Sequence, residues 1–135
     1  MIEPDIEKDL ERIIEMTGSR GMVISPLRLP ARHLEGVIYQ RISDPKIFAG
    51  LVKTKLVQAR FQIVVQLIDD YEKALLLIDK IRDEWESIEH GYLGKYPVQT
   101  VERGNFWQDM EEQTGGRTIW RLTRDFILIY AEDAK

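Results

Sequence analysis

Residues 53–86, KTKLVQARFQIVVQLI followed by DDYEKALLLIDKIRDEWE, decide the fold. In the first half Val57, Ala59, Phe61, Ile63, Val65 and Leu67 alternate with Gln58, Arg60, Gln62 and Gln66, and only Val64 breaks the polar side. A period of two places the apolar set on one face of a strand and the polar set on the other. At Asp69 the period changes. Tyr71, Ala74, Leu75, Ile78, Ile81, Trp85 and Ile88 recur three and four residues apart, the spacing of one helix face. Asp69 stands as the expected N-cap with Glu72 three residues on, and Gly91 is the expected stop. A long half-buried strand running into an amphipathic helix needs a shared core, so the expected class is α+β.

Working outward, Gly36–Ser43 (GVIYQRIS) is rich in β-branched residues and predicts a strand ended by Asp44-Pro45. Upstream, Ile6, Leu10, Ile13 and Ile14 form one apolar stripe, with Pro4 in the first turn and Gly18 as the stop, which predicts a first helix. Between them, residues 18–35 show no period. Pro26 and Pro30 cannot sit inside a central strand, so the segment reads as an extended loop. Its Gly-Ser-Arg-Gly tetrad resembles the GxxG loop of KH domains, yet a proline-containing extended run follows where a helix should. Downstream, Pro97–Arg103 predicts a short strand ended by Gly104 and Asn105, and Arg117–Tyr130 a long one. Residues 44–53 and 104–116 are expected loops, the first carrying Phe48 and the second Phe106 and Trp107. Residues 131–135 are an expected frayed tail. The predicted order is α-β-β-α-β-β, a mainly antiparallel sheet with both helices on one face, forming a single domain over 1–135. The other face, with Gln58, Arg60, Gln62, Gln66, Arg121, Thr123 and Asp125, is then wet or covered by a partner.

Composition narrows the function. A chain of 135 residues buries about two thirds of its unfolded surface, enough for a core without staples. It holds no cysteine and two histidines, which excludes disulfides, thiolate metal sites and cysteine nucleophiles. No apolar run approaches the ~18 residues of a membrane span, and the first residues (MIEPDIEKDLER) are acidic where a signal peptide is basic. The net charge of −4 is unevenly spread: residues 1–15 carry −4, 20–60 carry +6, 69–89 carry −5, and the rest −1. Acidic blocks flank a basic one.

Catalytic signatures are missing: the sequence contains no GxSxG, Walker loop, HExxH or GxGxxG. The acids Asp79, Asp83, Glu84, Glu86 and Glu89 sit on a capped amphipathic helix, where they read as its solvated face beside Lys80 and Arg82. The expectation is a non-enzymatic chain with no cofactor and no metal. Candidate contact residues are Arg28, Arg32, Lys53 and Lys55 of the basic block, and the loop aromatics Phe48, Phe106 and Trp107. A nucleic-acid-binding module built on residues 20–60 is the distant alternative. The net negative charge opposes it, because such affinity rests on phosphate neutralisation.

The order and spacing of these segments resemble a known family. GVIYQRISDP, ARFQIVVQ, DDYEKALLLIDKIRDEWE, VQTVERG and TIWRLTRDFILIYAE, preceded by a short acidic helix, are similar over residues 3–132 to the tail-completion proteins of long-tailed phages and prophages. That group includes tail terminators and tail-to-head joining proteins. The resemblance implies a structural subunit of a ring, commonly a hexamer, that caps the tail tube and meets the head connector. It implies the tail-tube protein and the head connector or neck protein as partners. It also implies assembly in the bacterial host cytoplasm and residence in the virion. A head-side neck or adaptor protein is the nearest alternative.

Overall fold

A computed structural model of the chain describes residues 1–18, 21–49 and 52–132, with the side chains of 48, 49 and 52–54 outside the description. The elements in chain order are α1 (Glu3–Met16), β1 (Val23–Pro26), β2 (Gly36–Ser43), β3 (Lys46–Ala49), β4 (Val52–Ile68), α2 (Tyr71–Glu86), β5 (Glu89–Leu93), β6 (Tyr96–Glu112) and β7 (Thr118–Ala131). The fold is α+β. The described strands form one sheet in the order β1-β2-β4-β7-β6-β5, with β3 paired to β4 beside β2. β1 runs parallel to β2, and all other pairings are antiparallel.

The decisive stretch folds as its two periods require. Val57, Ala59, Phe61, Ile63, Val65 and Leu67 are buried in one cluster with Ile6, Leu10, Ile13 and Ile14 of α1 and Ala74, Leu77, Ile78, Ile81 and Trp85 of α2. β7 lies beside β4 from Leu56 opposite Ala131 to Ile68 opposite Ile119 and adds Leu122, Phe126, Leu128 and Tyr130 to the core. Phe126 meets the Trp85 indole edge-on with centroids 4.9 Å apart, and Tyr96 meets Tyr130 at 5.4 Å. Such pairs add to simple area burial.

Several expectations need correction. The order α-β-β-α-β-β lacks β1, β3 and β5. β1 lies inside the expected loop 18–35; it is an edge strand, with Pro26 as its last residue. Leu27 N–H bonds to the Tyr39 carbonyl at 3.1 Å, so the position of Pro26 nitrogen faces away from the sheet, where a missing N–H costs no ladder bond. β3 occupies the expected loop 44–53, and only residues 50 and 51 between β3 and β4 fall outside the description. The largest correction is β6. It does not stop at Gly104 but bulges between Arg103 and Phe106 and continues along β7 to Glu112 opposite Thr118. The expected loop 104–116 is therefore strand as far as Glu112, and only a tight Gln113–Arg117 turn with Gly115 and Gly116 at positive φ remains. Ala131 closes β7 rather than opening a frayed tail, and residues 133–135 lie outside the described residues.

The cap of α2 also moves by one residue. Asp70, not Asp69, accepts the Lys73 N–H at 3.0 Å. Asp69 instead has φ 56° and clasps β7: its N–H donates to the Thr118 carbonyl at 2.8 Å, and its Oδ1 accepts the Thr118 N–H at 2.7 Å. The helix ends at Glu86 with Ser87 as C-cap, before Gly91. Gly18, by contrast, follows α1 with φ 79°, the left-handed turn expected of a stop.

Candidate functional site

The seven candidate contact residues fall in three separate places. Arg28 and Arg32 lie in the exposed segment between β1 and β2. Phe48 and Lys53 face each other in the β3–β4 register, and their side chains lie outside the described residues. Lys55 follows on β4, exposed, with its carbonyl accepting the Glu132 N–H at 3.0 Å. The segment with Arg28 and Arg32 is tied to Gln66, thirteen residues along β4 from Lys53, or about 40 Å of strand. Arg28, Arg32, Lys53 and Lys55 therefore do not form one basic patch.

Phe106 and Trp107 stand on β6, on opposite faces of a strand. Phe106 pairs with Arg124 on the face that carries the buried Ile63, and the guanidinium lies 4.8 Å from its ring centroid. Arg124 is buried, and burial together with Arg103 and Arg82 nearby lowers its pKa from the usual range. A cation over a ring in partly dry surroundings stabilises the pair by about 1 kcal/mol. Just beside it, Arg103 makes a two-pronged contact with Glu86 at 2.6 and 2.7 Å, which holds that carboxyl below its usual range. Trp107 points to the other face, opposite Thr123, followed at the same side by Asp109 and Glu111.

That second face carries a polar row across three strands. Gln66 Nε2 donates to the Leu34 carbonyl at 2.9 Å, Arg121 Nε donates to Gln66 Oε1 at 3.1 Å, and Arg121 also pairs with Glu111 at 3.4 Å and Asp109 at 3.6 Å. The expectation of a face that is wet or covered by a partner needs correction here: Gln66, Thr123 and Asp125 are buried within the chain itself, while Gln58 is exposed. Leu34 engages Gln66, while the β6 bulge lies against Asp125, whose Oδ2 is held by Arg60 and whose Oδ1 has no hydrogen-bond partner among the described residues.

The two lateral edges of the sheet differ in character. β5 pairs with β6 only from Leu93 opposite Tyr96 to Glu89 opposite Thr100. From Val101 to Glu112 the outer edge of β6 has no strand beside it among the described residues. It presents Phe106 (37% exposed), Trp107 (41%) and Met110 (51%) among Glu102, Asp109, Glu111 and Glu112. At the far edge, Leu27 is 68% exposed and Arg28 and Arg32 have no side-chain partner among the described residues. Arg32 also lines an open cavity of about 610 Å³ together with His33, Lys73 and Arg117. Sequence reasoning missed Met110 and the acids of β6 as a surface. The legible signal was β7 itself: a strand of 14 residues behind a Gly-Gly turn needs a hairpin partner of matching length.

Among the described residues no three His, Asp or Glu side chains group as metal ligands, and no helix is long and apolar enough to cross a membrane. Comparison with protein-family models and with curated proteins gave no match.

Proposed function

We propose that the chain is a non-enzymatic structural subunit, the tail-completion protein of a long-tailed phage or prophage, which closes the tail tube and joins it to the head connector as a ring. One observation carries the assembly part of this reading. Among the described residues no strand covers the outer edge of β6 from Val101 to Glu112, and this length exposes Phe106, Trp107 and Met110. Soluble proteins keep edge strands short, proline-broken or lysine-rich, because an open edge recruits further chains. β1 fits that pattern, with four residues and a terminal proline; β6 carries a bulge and acids, yet it runs on past β5 for twelve residues with three large apolar side chains exposed. An edge of that kind belongs to a chain that finishes its surface in an assembly. The order and spacing of the segments supply the phage part. A hexameric ring, tail-tube and head-connector partners, and virion residence follow from that resemblance.

The test is deletion of the gene in the replicon that carries it, followed by electron microscopy of the lysate. Unjoined heads together with tails of irregular length support the tail-terminating role. Tails of uniform length that fail to join heads support the head-side neck or adaptor role instead. Normal joined particles overturn both. A mobility shift of DNA or RNA that weakens steeply with salt would move the reading to the nucleic-acid-binding module.

A further inference from the structure

We propose that the acidic, aromatic outer edge of β6 docks against the Leu27–Arg32 segment of a second copy of this chain, so that copies add head to tail along the sheet. The proposal rests on the ring reading above and names the surfaces that would build it.

Three observations converge on this pairing. The first is charge. Glu102 and Glu112, with Asp109 and Glu111 already paired to Arg121, line the uncovered length of β6, whereas among the described residues Arg28 and Arg32 stand unpartnered at the opposite edge of the same sheet. Pairing two β6 edges about a twofold axis would bring acids onto acids, so the contact is between unlike edges. The second is polarity. β1 is parallel to β2, β2 antiparallel to β4, β4 to β7 and β7 to β6. β1 therefore runs antiparallel to β6, and a neighbour added in the same orientation sets its β1 edge antiparallel to the first copy's β6. A contact between unlike patches in one orientation is heterologous, and it closes into a ring when the rotation permits.

The third is the form of the basic edge. Pro26 removes an outward N–H from β1, so a continuous backbone ladder across copies is blocked there. The segment beyond it is nonetheless fixed: Arg28 N–H bonds to the Pro26 carbonyl at 2.7 Å and His33 N–H to the Pro30 carbonyl at 3.1 Å. Leu27 and Arg32 hold φ of 67° and 73° in a bent backbone, and both are exposed. The contact is thus made by side chains: Leu27 against the exposed Met110, and the two guanidinium groups against the carboxylates.

The chain contains no cysteine, so single thiols report contacts directly. Met110→Cys and Ala31→Cys proteins, each on the full chain, are mixed and oxidised at concentrations up to millimolar. The expected product is a mixed disulfide dimer, with neither protein forming a dimer alone, and the double variant yields a ladder or closed ring. Homodimers of Met110→Cys overturn the proposal. So do self-association without the mixed product and a strictly monomeric protein. In parallel, Arg28→Glu with Arg32→Glu is expected to weaken self-association at least tenfold, and adding Glu112→Lys, two residues from Met110, to restore part of it; no restoration overturns the charge pairing. Circular dichroism checks that each variant is folded. Rings that form through other cysteine pairs overturn these surfaces while leaving the tail-completion reading intact. Mixed disulfides with normal particles in the gene deletion do the reverse.

Discussion

The indole N–H of Trp85 donates to Asp9 Oδ2 at 2.8 Å, a buried bond between the two helices made by residues 76 positions apart in the chain. Asp9 is also held by Arg12 Nε at 2.9 Å, and Arg12 in turn reaches Glu84 of α2 at 2.8 Å. One carboxylate in the apolar stripe of α1 thereby fixes the register of the two helices over the sheet. Replacing Asp9 by Leu leaves the buried indole donor unpaired, which costs about 1–3 kcal/mol. Urea unfolding followed by tryptophan fluorescence measures the loss, and a midpoint equal to that of the parent chain would count against the role assigned to Asp9.

Gly104 sits in the β6 bulge against Asp125. A Cβ there would stand 2.8 Å from Asp125 Cβ and 3.0 Å from its carbonyl oxygen, closer than packed atoms allow. Gly104→Ala is expected to destabilise by about 1–3 kcal/mol through overpacking. It also pushes β6 off β7 beyond the bulge. Amide hydrogen exchange should show faster exchange for Phe106–Glu112 than for Val98–Val101; a uniform change across β6 would contradict the local clash.

Two buried tyrosines make the fold sensitive to alkali. Burial, with the bond donated to Glu7 as the second cause, pushes Tyr39 up to about 12. Burial pushes Tyr130 up to about 12 as well, against the opposing pull of Arg41. A raised folded pKa means the native state keeps the proton more firmly than the unfolded chain. The stabilisation is complete below the ordinary tyrosine pKa of about 10, and it disappears as pH rises from there to about 12. Each contributes about 2 kcal/mol. Unfolding free energy measured from pH 8 upward should fall over that window, and the Tyr39→Phe, Tyr130→Phe double variant should flatten the fall.

Asp70 and Asp69 are adjacent acids with different duties, which substitution separates. Asp70→Ala removes the α2 cap and costs about 1 kcal/mol. Asp69→Ala removes the side-chain half of the clasp, leaving the Thr118 N–H without its acceptor, and places a residue without a polar side chain at positive φ. It should be the more damaging of the two, by about 1 kcal/mol. Thermal unfolding of the two single variants compares them, and a larger loss for Asp70→Ala would reverse the assignment.

The parts of this fold legible in the sequence are those with one dry and one wet face. β4 and α1 carry sharp contrast between faces, and their apolar positions are buried as the period requires. α2 was legible in outline, yet Leu77 is buried and Leu76 exposed in a run of three leucines whose orientation the period alone does not settle. β6 beyond the bulge was invisible because residues 105–112 are exposed on both faces, so nothing alternates. β5 offers only Leu93 to the core, and β1 ends in a proline that argues against a strand unless its edge position is known. Phe106 and Trp107 were recognisable as exposed aromatics, but their place on a strand edge depends on pairing with β7. The burial of Asp9 and Asp125 depends on partners 76 and 65 residues away, a distance across which no local pattern reports.

The sheet order has a temporal consequence during synthesis. β7 lies between β4 and β6, yet it is the last of the described strands to be made. Until it emerges, β4 has no neighbour on one side and β6 none on its inner side, so neither half of the sheet can close. Growth from the first strands outward is therefore impossible; the nascent chain holds two unfinished halves and joins them in one late insertion. Pairings of such long sequence separation are slow to form, and exposed unpaired strands invite aggregation meanwhile. The barrier to folding should accordingly lie in the docking of β7, and substitutions at Leu122 or Phe126 should slow refolding more than equal truncations in α1.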